Sequence, residues 1–112
     1  MPDKILSLLD LWVLAVLIIE PGHPYEIPHR IAGHSLMRYR PSLNGVRGAV
    51  RRLAAQGLIK VIDRELGLGS RHLRQVYAAT QAGEDRLALE RRTLDLQLAA
   101  LNQAVATALI RR

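Results

Sequence analysis

The chain has 112 residues, 49% of them hydrophobic, which is enough for one domain with a real core and excludes an intrinsically disordered protein. It has no cysteine, which excludes disulfides, thiolate metal sites and cysteine nucleophiles and fits a reducing cytoplasm. The net charge of +6 and the pI near 10.8 favour nucleic acid or an anionic membrane as partner.

The apolar run over residues 5–19 predicts a first helix that begins at Pro2 or Asp3, with Asp3 as N-cap, and ends before Pro21. The run is too short for a membrane span, which needs about 20 apolar residues. It also lacks the basic region and cleavage site of a signal peptide. Because a helix that is apolar on nearly every side must be covered on nearly every side, a second subunit is expected to cover part of it.

A short second helix is predicted from about Tyr25 to Ala32, with Gly33 as its left-handed stop. Pro28 is tolerated only in the first helical turn, where the backbone N–H groups have no partner within the helix. Residues 34–41 are then a linker.

The third helix is predicted from the N-cap Ser42 to Gln56, with Gly57 as the stop. Its apolar positions recur at intervals of three and four and are Val46, Ala49, Val50, Leu53 and Ala54. Its other face shows Asn44, Arg47, Gly48, Arg51 and Arg52. Gly45 and Gly48 each cost about 1 kcal/mol in a helix. They indicate either a poor helix or another group that approaches the helix backbone closely.

Residues 58–65 and 71–79 predict the two strands of a hairpin, joined by a glycine-rich turn over residues 66–70. A long last helix is predicted from the cap Thr80 to about Ile110. One apolar seam of this helix follows a heptad spacing and comprises Leu87, Leu94, Leu98, Leu101, Val105 and Ala108. A second stripe of Leu89, Leu96 and Ile110 indicates a further contact surface, most simply another copy of the chain.

The positive charge is concentrated in residues 37–79, which contain nine basic and only two acidic residues. Because this excess falls on the third helix, its preceding linker and the hairpin, it indicates a surface shaped for a polyanion. The order of three helices, hairpin and helix is that of a mostly helical (α+β) winged helix-turn-helix. We expect residues 1–79 to form this domain, with the first helix also in a dimer interface, and residues 80–112 to form a dimerisation helix.

The chain resembles the PadR family of bacterial and archaeal transcriptional regulators over roughly residues 8–90. The family pattern His-Gly-Tyr-Glu is similar to residues 23–26, HPYE, and its third helix runs from a serine to Gly-Leu-Ile, as residues 42–59 do. The wing ends in a tyrosine and Thr-x-x-Gly, here Tyr77 and residues 80–83. Two residues depart from the pattern: Pro24 replaces a glycine, and Arg47 replaces the tyrosine of the third helix, which puts the usual DNA sequence preference in doubt.

The resemblance and the charge together imply double-stranded DNA as partner, with Arg47 and Arg51 entering the major groove, where arginine can pair bidentately with guanine. The predicted DNA contacts are Tyr25, Arg38, Arg40, Ser42, Asn44, Arg47, Arg51, Arg52, Lys60, Arg64, Arg71 and Arg74. Asn44 could instead support the helix start, Arg52 could pair with an acid, and Tyr25 could simply anchor the second helix. Tyr77 is expected in the core rather than on DNA.

The resemblance also implies a homodimer formed by the first and last helices. The predicted interface residues are Leu8, Trp12, Leu94, Leu98, Leu101 and Val105. Trp12 either packs in this interface or lines a pocket for a small hydrophobic effector, as such molecules are often sensed in the family. The function expected is therefore a cytoplasmic regulator, most simply a repressor, that binds a palindromic operator.

The main alternative is a winged-helix module that binds another protein through its apolar helices, without specific DNA binding. A membrane-surface protein is disfavoured because the basic residues lie away from the apolar stripe. No enzyme, cofactor or metal site is expected, since no nucleophile–base motif or phosphate-binding loop occurs and the histidines lack ligand spacing.

Overall fold

The computed structural model describes residues 5–66 and 73–111, which form four helices and a two-stranded antiparallel sheet. The elements are α1 (Leu8–Ile19), α2 (Ile27–His34), α3 (Leu43–Ala55), β1 (Ile59–Leu66), β2 (Leu73–Ala79) and α4 (Gln81–Ile110). This confirms the predicted mostly helical winged helix-turn-helix, with α2 and α3 as the helix-turn-helix and β1–β2 as the wing. The predicted start of the hairpin's second strand at 71 and the glycine-rich turn fall largely on residues 67–72, outside the described residues.

α1 lies at the centre of the fold, because α2, α3, α4 and β2 all pack against it. The core residues around and within it are Val13, Leu14, Val16, Leu17, Ile27, Ile31, Val46, Val50 and Leu53, all nearly or fully buried. Complete burial of one such side chain stabilises a fold by about 1.5–3 kcal/mol. The domain does not cover α1 completely, since Leu8 at one end and Ile19 at the other remain 63% and 64% exposed.

The start of α1 differs from the prediction, because the helix begins at Leu8 and residues 5–7 are not helical. Ser7 is the N-cap: its hydroxyl accepts a hydrogen bond from the Asp10 N–H, and the Asp10 carboxylate accepts one from the Ser7 N–H, each at 3.1 Å. This reciprocal pair is a capping box, and its Ser-x-x-Asp spacing is a recognised helix start signal. The predicted cap, Asp3, lies outside the described residues.

α2 also differs from the prediction, since it starts at Ile27 and continues through Gly33, which is not the left-handed stop. Instead, Leu36 and Met37 take positive φ angles of 55° and 64°. The Met37 N–H donates to the Ala32 carbonyl at 2.7 Å and thereby closes the end of the helix. This hydrogen bond offsets the backbone strain of a positive φ angle, which residues other than glycine normally avoid. Pro28 lies in the first turn, as predicted.

The caps of α3 and α4 confirm the predictions. The Ser42 hydroxyl accepts from the Gly45 N–H at 3.0 Å, Gly57 has a φ of 72°, and the Thr80 hydroxyl accepts from the Gly83 N–H at 3.1 Å. Ala54, predicted on the apolar side of α3, is exposed, because it lies outside the buried stripe formed by the other four predicted core positions. No helix among the described residues is both long and apolar enough to cross a membrane.

The wing is attached to the helical core through Tyr77. β1 and β2 pair antiparallel from Ile59 opposite Ala79, with a register shift between Val61 and Asp63. Tyr77 exchanges both backbone hydrogen bonds with Gly22, which lies in the turn after α1. The Tyr77 side chain packs against the core, as predicted.

Gly83 permits the close packing of α4 on the chain leading into β1. A Cβ at this position would lie 2.1 Å from the Leu58 carbonyl oxygen and 3.1 Å from a methyl group of Leu14. The same Leu58 carbonyl accepts the Thr80 N–H at 3.0 Å, so α4 starts hydrogen-bonded to the backbone on which it packs. The glycine of the Thr-x-x-Gly motif is therefore required by packing rather than by a turn.

Gly83→Ala is expected to lower the free energy of unfolding by about 2–3 kcal/mol, because the new methyl group would displace either α4 or the Leu58 backbone. Gly33→Ala is the matched control, since Gly33 is exposed on α2 and nothing lies within 4 Å of its added Cβ. That control should gain about 0.5–1 kcal/mol from helix propensity. Urea unfolding followed by circular dichroism, at one protein concentration, measures both; equal effects would contradict the close approach at Gly83.

Candidate nucleic-acid interface

Most of the predicted DNA-contacting side chains are accessible. Asn44, Arg47 and Arg51 are exposed on α3. Exposed positions elsewhere are Arg38 and Arg40 in the linker before α3 and Lys60 and Arg64 on β1. Arg74 on β2 is half-buried, and Arg71 lies outside the described residues. Exposure is what a DNA contact requires, and the contacts themselves remain predictions.

Three of the predicted residues meet in one cluster, which we call the Tyr25 cluster and which consists of Tyr25, Arg47 and Arg74. The guanidinium carbons of Arg47 and Arg74 lie 5.1 Å and 4.7 Å from the centroid of the Tyr25 ring. Arg47 Nη2 also donates to the Tyr25 hydroxyl oxygen at 2.6 Å. The two distances to the ring centroid are within the range of cation–π attraction, so one ring joins a side chain of α3 to a side chain of the wing.

Arg30 fixes the turn on which Tyr25 lies. Its guanidinium donates to the backbone carbonyls of Glu20 and Pro21 at 2.8 Å and 3.1 Å and forms an ion pair with Glu26. A Cβ at Gly22 would lie 2.6–2.8 Å from this guanidinium and would displace it from these contacts. The turn between α1 and α2 is thus held by three points of contact from a single side chain.

His23 adds a further contact to the same turn. Its Nε2 lies 2.8 Å from the Glu26 carboxylate, and its ring meets the Tyr25 ring edge-on with centroids 6.1 Å apart. His23 is therefore a structural neighbour of Tyr25. Within the described ranges, no three His, Asp or Glu side chains come together in a way that could hold a metal ion.

The linker and the start of α3 are also tied down. Arg40 Nη2 lies 3.4 Å from His29 Nδ1 on α2, and the Ser42 hydroxyl is engaged as the α3 N-cap. The Ser35 hydroxyl accepts from the Tyr39 N–H at 3.0 Å, which fixes the backbone between Arg38 and Arg40. The two linker arginines therefore project from a backbone that is ordered by local hydrogen bonds.

Arg52 takes the second of its two predicted roles and pairs with an acid. Its Nη2 and Nε lie 2.7 Å and 3.1 Å from one carboxylate oxygen of Asp10, whose side chain is only 4% exposed. The other carboxylate oxygen accepts the Ser7 N–H of the capping box. Arg52 thus links α3 to the N-terminus of α1, and contact between Arg52 and a phosphate remains only a prediction.

The two glycines of α3 are explained by close neighbours, as predicted. A Cβ at Gly48 would lie 3.2 Å from the Arg52 guanidinium, and one at Gly45 would lie 3.2 Å from the Ser42 hydroxyl and 3.3 Å from a Leu9 methyl group. Side chains of the protein itself, rather than DNA, account for these approaches. Gly48 in particular leaves room for Arg52 to turn back toward Asp10.

Sequence analysis did not find the partner of Arg52 or the Tyr25 cluster. Asp10 was visible only as an interruption of an apolar run, although a buried acid in such a run signals a paired charge. The Ser7-x-x-Asp10 spacing was a second available signal for the α1 cap. The Tyr25 cluster carries no sequence signal of its own, because its members come from three separate elements.

The predicted dimer residues lie on an apolar surface that this single chain leaves uncovered. Leu94, Leu98, Leu101 and Val105 on α4 are 44–59% exposed. Leu8 and half-buried Trp12 of α1 border an open apolar groove of about 240 Å³, which Leu11, Ala15, Leu87 and Leu94 complete. Residues 96–110 of α4 contain no charged residue and are exposed. None of the described residues covers this apolar helix surface, and exposed apolar surfaces of this kind mark interaction sites.

No protein-family model and no curated protein matches this sequence. Solved structures do match it in fold. A PadR family transcription regulator from Clostridium difficile superposes with a TM-score of 0.71 at 19% identity and covers 88% of this chain and 99% of its own. A PadR family transcriptional regulator from Eggerthella lenta gives a TM-score of 0.64 at 27% identity over 90% of this chain and 80% of its own.

The Bacillus subtilis PadR structure, determined in complex with operator DNA, also matches, with a TM-score of 0.64 at 16% identity. The match covers 73% of this chain and 45% of that one. These likenesses confirm the predicted resemblance at the level of the fold, which is that of PadR-like winged helices.

Arg52→Ala is expected to lower the free energy of unfolding by about 1–3 kcal/mol, because it leaves the buried Asp10 carboxylate without its charged partner. The half-exposed guanidinium places the effect below that of a fully buried pair. Arg51→Ala, the matched control one residue earlier, removes the same charge from an exposed site and should change stability by less than about 0.5 kcal/mol. Thermal or urea unfolding compares them, and equal stabilities would contradict a structural role for Arg52.

Proposed function

We propose that this protein is a DNA-binding transcriptional regulator that binds a palindromic operator as a homodimer and represses by occluding a promoter. The observation that carries the proposal is the Tyr25 cluster, in which cationic side chains of α3 and the wing meet on an accessible face. The operator complex of the Bacillus subtilis PadR, which shares the fold, supports the same use of the scaffold. The function needs no catalytic group or cofactor, and it operates in the cytoplasm.

In this proposal α3 enters the major groove and reads bases. Arg47 and Arg51 lie one turn apart on its exposed face, and both can pair bidentately with guanine O6 and N7. Asn44, exposed in the first turn of α3, can read adenine. These three side chains come from one helix face, so they address neighbouring base pairs.

The remaining predicted residues position the protein on the phosphate backbone. Arg38 and Arg40 flank the N-terminus of α3, and Lys60, Arg64, Arg71 and Arg74 belong to the hairpin. Contacts of this kind fix register and orientation, and they supply most of the salt-dependent affinity. Ser42 belongs to this set through its hydroxyl group, and Tyr25 belongs to it through Arg74, which its ring contacts. Arg52 belongs to it secondarily because Asp10 already engages it.

The homodimer is supported by the uncovered apolar surfaces of α1 and α4. The interface we propose contains Leu8, Trp12, Leu94, Leu98, Leu101 and Val105. Their cover by a second copy would place two α3 helices for successive major grooves of a two-fold symmetric operator. In this arrangement residues 80–112 act as the dimerisation segment and residues 1–79 as the DNA-binding domain.

The groove beside Trp12 supports a regulatory addition to the proposal, a small hydrophobic effector. Its lining is almost entirely apolar, and its volume of about 240 Å³ can hold part of a drug-sized molecule. Trp12 is the single tryptophan of the chain, so its fluorescence reports binding directly. Titration with planar hydrophobic compounds tests this addition, and unchanged Trp12 fluorescence across them would contradict it.

Selection of bound sequences from a random DNA library tests the function as a whole. We expect a recovered palindrome whose half-site centres lie one helical turn, about 34–36 Å, or a multiple of it apart. The alternative, a module that binds another protein without specific DNA binding, predicts no enriched sequence. The selection therefore separates the two functions.

The double variant Arg47→Ala plus Arg51→Ala is expected to lose about 100-fold or more in affinity for the selected operator, because each bidentate pair contributes about 1–3 kcal/mol of discrimination. The fold should persist, since both side chains are exposed. Fluorescence anisotropy measures the affinity. Wild-type binding should also fall about 1,000-fold or more between roughly 50 and 200 mM salt if six or more phosphates are contacted.

The matched control is Arg91→Ala plus Arg92→Ala, which removes the same charge from exposed positions on α4. Its operator affinity should stay within a few fold of the wild type. An equal loss in both double variants would show that net charge alone matters and would contradict readout by α3.

Leu98→Glu is expected to convert the homodimer into a monomer, because it places a charge in the apolar seam of α4 that we propose is buried between copies. Gln97→Glu adds a charge at the neighbouring exposed position outside that seam and should leave the dimer intact. Sedimentation velocity at the same concentrations measures the mass of both. A wild-type monomer, or a Leu98→Glu dimer, would contradict this interface.

A further inference from the structure

The Tyr25 ring is in contact with both parts of the DNA-binding face. The guanidinium carbons of Arg47 on α3 and Arg74 on β2 both lie within 5.1 Å of its centroid, and Arg47 also donates to its hydroxyl at 2.6 Å. Among the described side chains no carboxylate pairs with either arginine. The ring is therefore the shared neutral partner of two cations.

Elementary electrostatics defines what the ring does. Two guanidinium groups held near each other repel, whereas the negative face of a phenol ring attracts each of them. Without the ring, Arg47 and Arg74 would separate and sample many rotamers. With the ring, both are held beside one neutral partner, where an anion or an acceptor edge of a base can add counter-charge.

The turn that carries Tyr25 is hydrogen-bonded to the wing. Gly22, three residues before Tyr25, exchanges both backbone hydrogen bonds with Tyr77, and Tyr77 lies three residues after Arg74 on β2. Arg30 fixes the same turn from α2 by binding the Glu20 and Pro21 carbonyls. The position of the ring relative to Arg74 is thus set by hydrogen bonds, and Arg47 is positioned through the ring.

We propose that Tyr25 is a positioning residue that fixes Arg47 of α3 and Arg74 of the wing relative to each other, so that the two elements engage DNA as one pre-ordered unit. This inference rests on the proposed function and assigns to Tyr25 a role distinct from a phosphate contact of its own. A guanidinium has five N–H donors, of which the Tyr25 hydroxyl takes one from Arg47. The others remain available for a bidentate contact with guanine.

The arrangement in the free protein is tested first, by NMR of the full chain without DNA. The δ-methylene protons of Arg47 and Arg74 should show ring-current shifts that disappear in Tyr25→Leu and persist in Tyr25→Phe. Arg51, which has no contact with the ring, supplies the unshifted reference. Shifts that are equal for all three arginines would overturn the cluster itself, whether or not the protein binds DNA.

The role in binding is tested by a double-mutant cycle on the selected operator. Tyr25→Leu should weaken binding by about tenfold, because two arginine side chains must then be ordered during binding instead of before it. In the Arg47→Ala background the same substitution should weaken binding clearly less. In the Arg51→Ala background, a charge-matched control on the same helix, it should again cost about tenfold. Tyr25→Phe should retain most of the wild-type affinity.

The outcomes separate this inference from the function on which it rests. A wild-type protein that selects no DNA sequence overturns the proposed function and this role with it. A wild type that binds its operator, with Tyr25→Leu costing the same in all three backgrounds, keeps the function and overturns the positioning role, because that pattern indicates an independent contact between Tyr25 and DNA. Loss of affinity confined to backgrounds that contain Arg47 supports the role.

Discussion

The burial of α1 is the constraint on which the rest of the structure depends. A helix with Val13, Leu14, Val16 and Leu17 almost completely covered needs neighbours on several sides, and α2, α3, α4 and β2 supply them. The elements that carry the candidate nucleic-acid interface are therefore held in place by α1, the most apolar of the helices. Asp10, a buried acid in the first turn of α1, is tolerated because the capping box and Arg52 occupy both of its carboxylate oxygens.

The turn after α1 connects that core to the candidate interface. Arg30 binds the carbonyls at the end of α1, Gly22 pairs with β2, and three residues later the Tyr25 ring meets Arg47 and Arg74. Backbone hydrogen bonds and one ion pair thus fix the turn on which the Tyr25 ring lies beside both arginine side chains. This short polar segment connects α3 and the wing, because the Tyr25 ring contacts both Arg47 and Arg74.

Local signals made most of the fold predictable, whereas contacts between distant residues did not follow from the sequence. Ser42, Gly57 and Thr80 were identified correctly because a cap or a left-handed stop is decided within a few residues. The prediction that Gly33 ends α2 was wrong, because Leu36 and Met37 take the left-handed conformation that glycine usually adopts. Pairs such as Arg52 with Asp10, 42 residues apart, depend on how helices pack, which periodicity alone cannot specify.

Arg47 shows how one departure from a family pattern can change what a helix reads. A tyrosine hydroxyl both donates and accepts hydrogen bonds, whereas a guanidinium only donates. In the proposed function, an arginine at this position favours acceptor groups, and in the major groove guanine offers two of them on one edge, O6 and N7. The aromatic ring is not lost from the site, because Tyr25 provides one beside the guanidinium at 5.1 Å. In the role we propose for Tyr25, this ring orders a long cationic side chain before DNA binds.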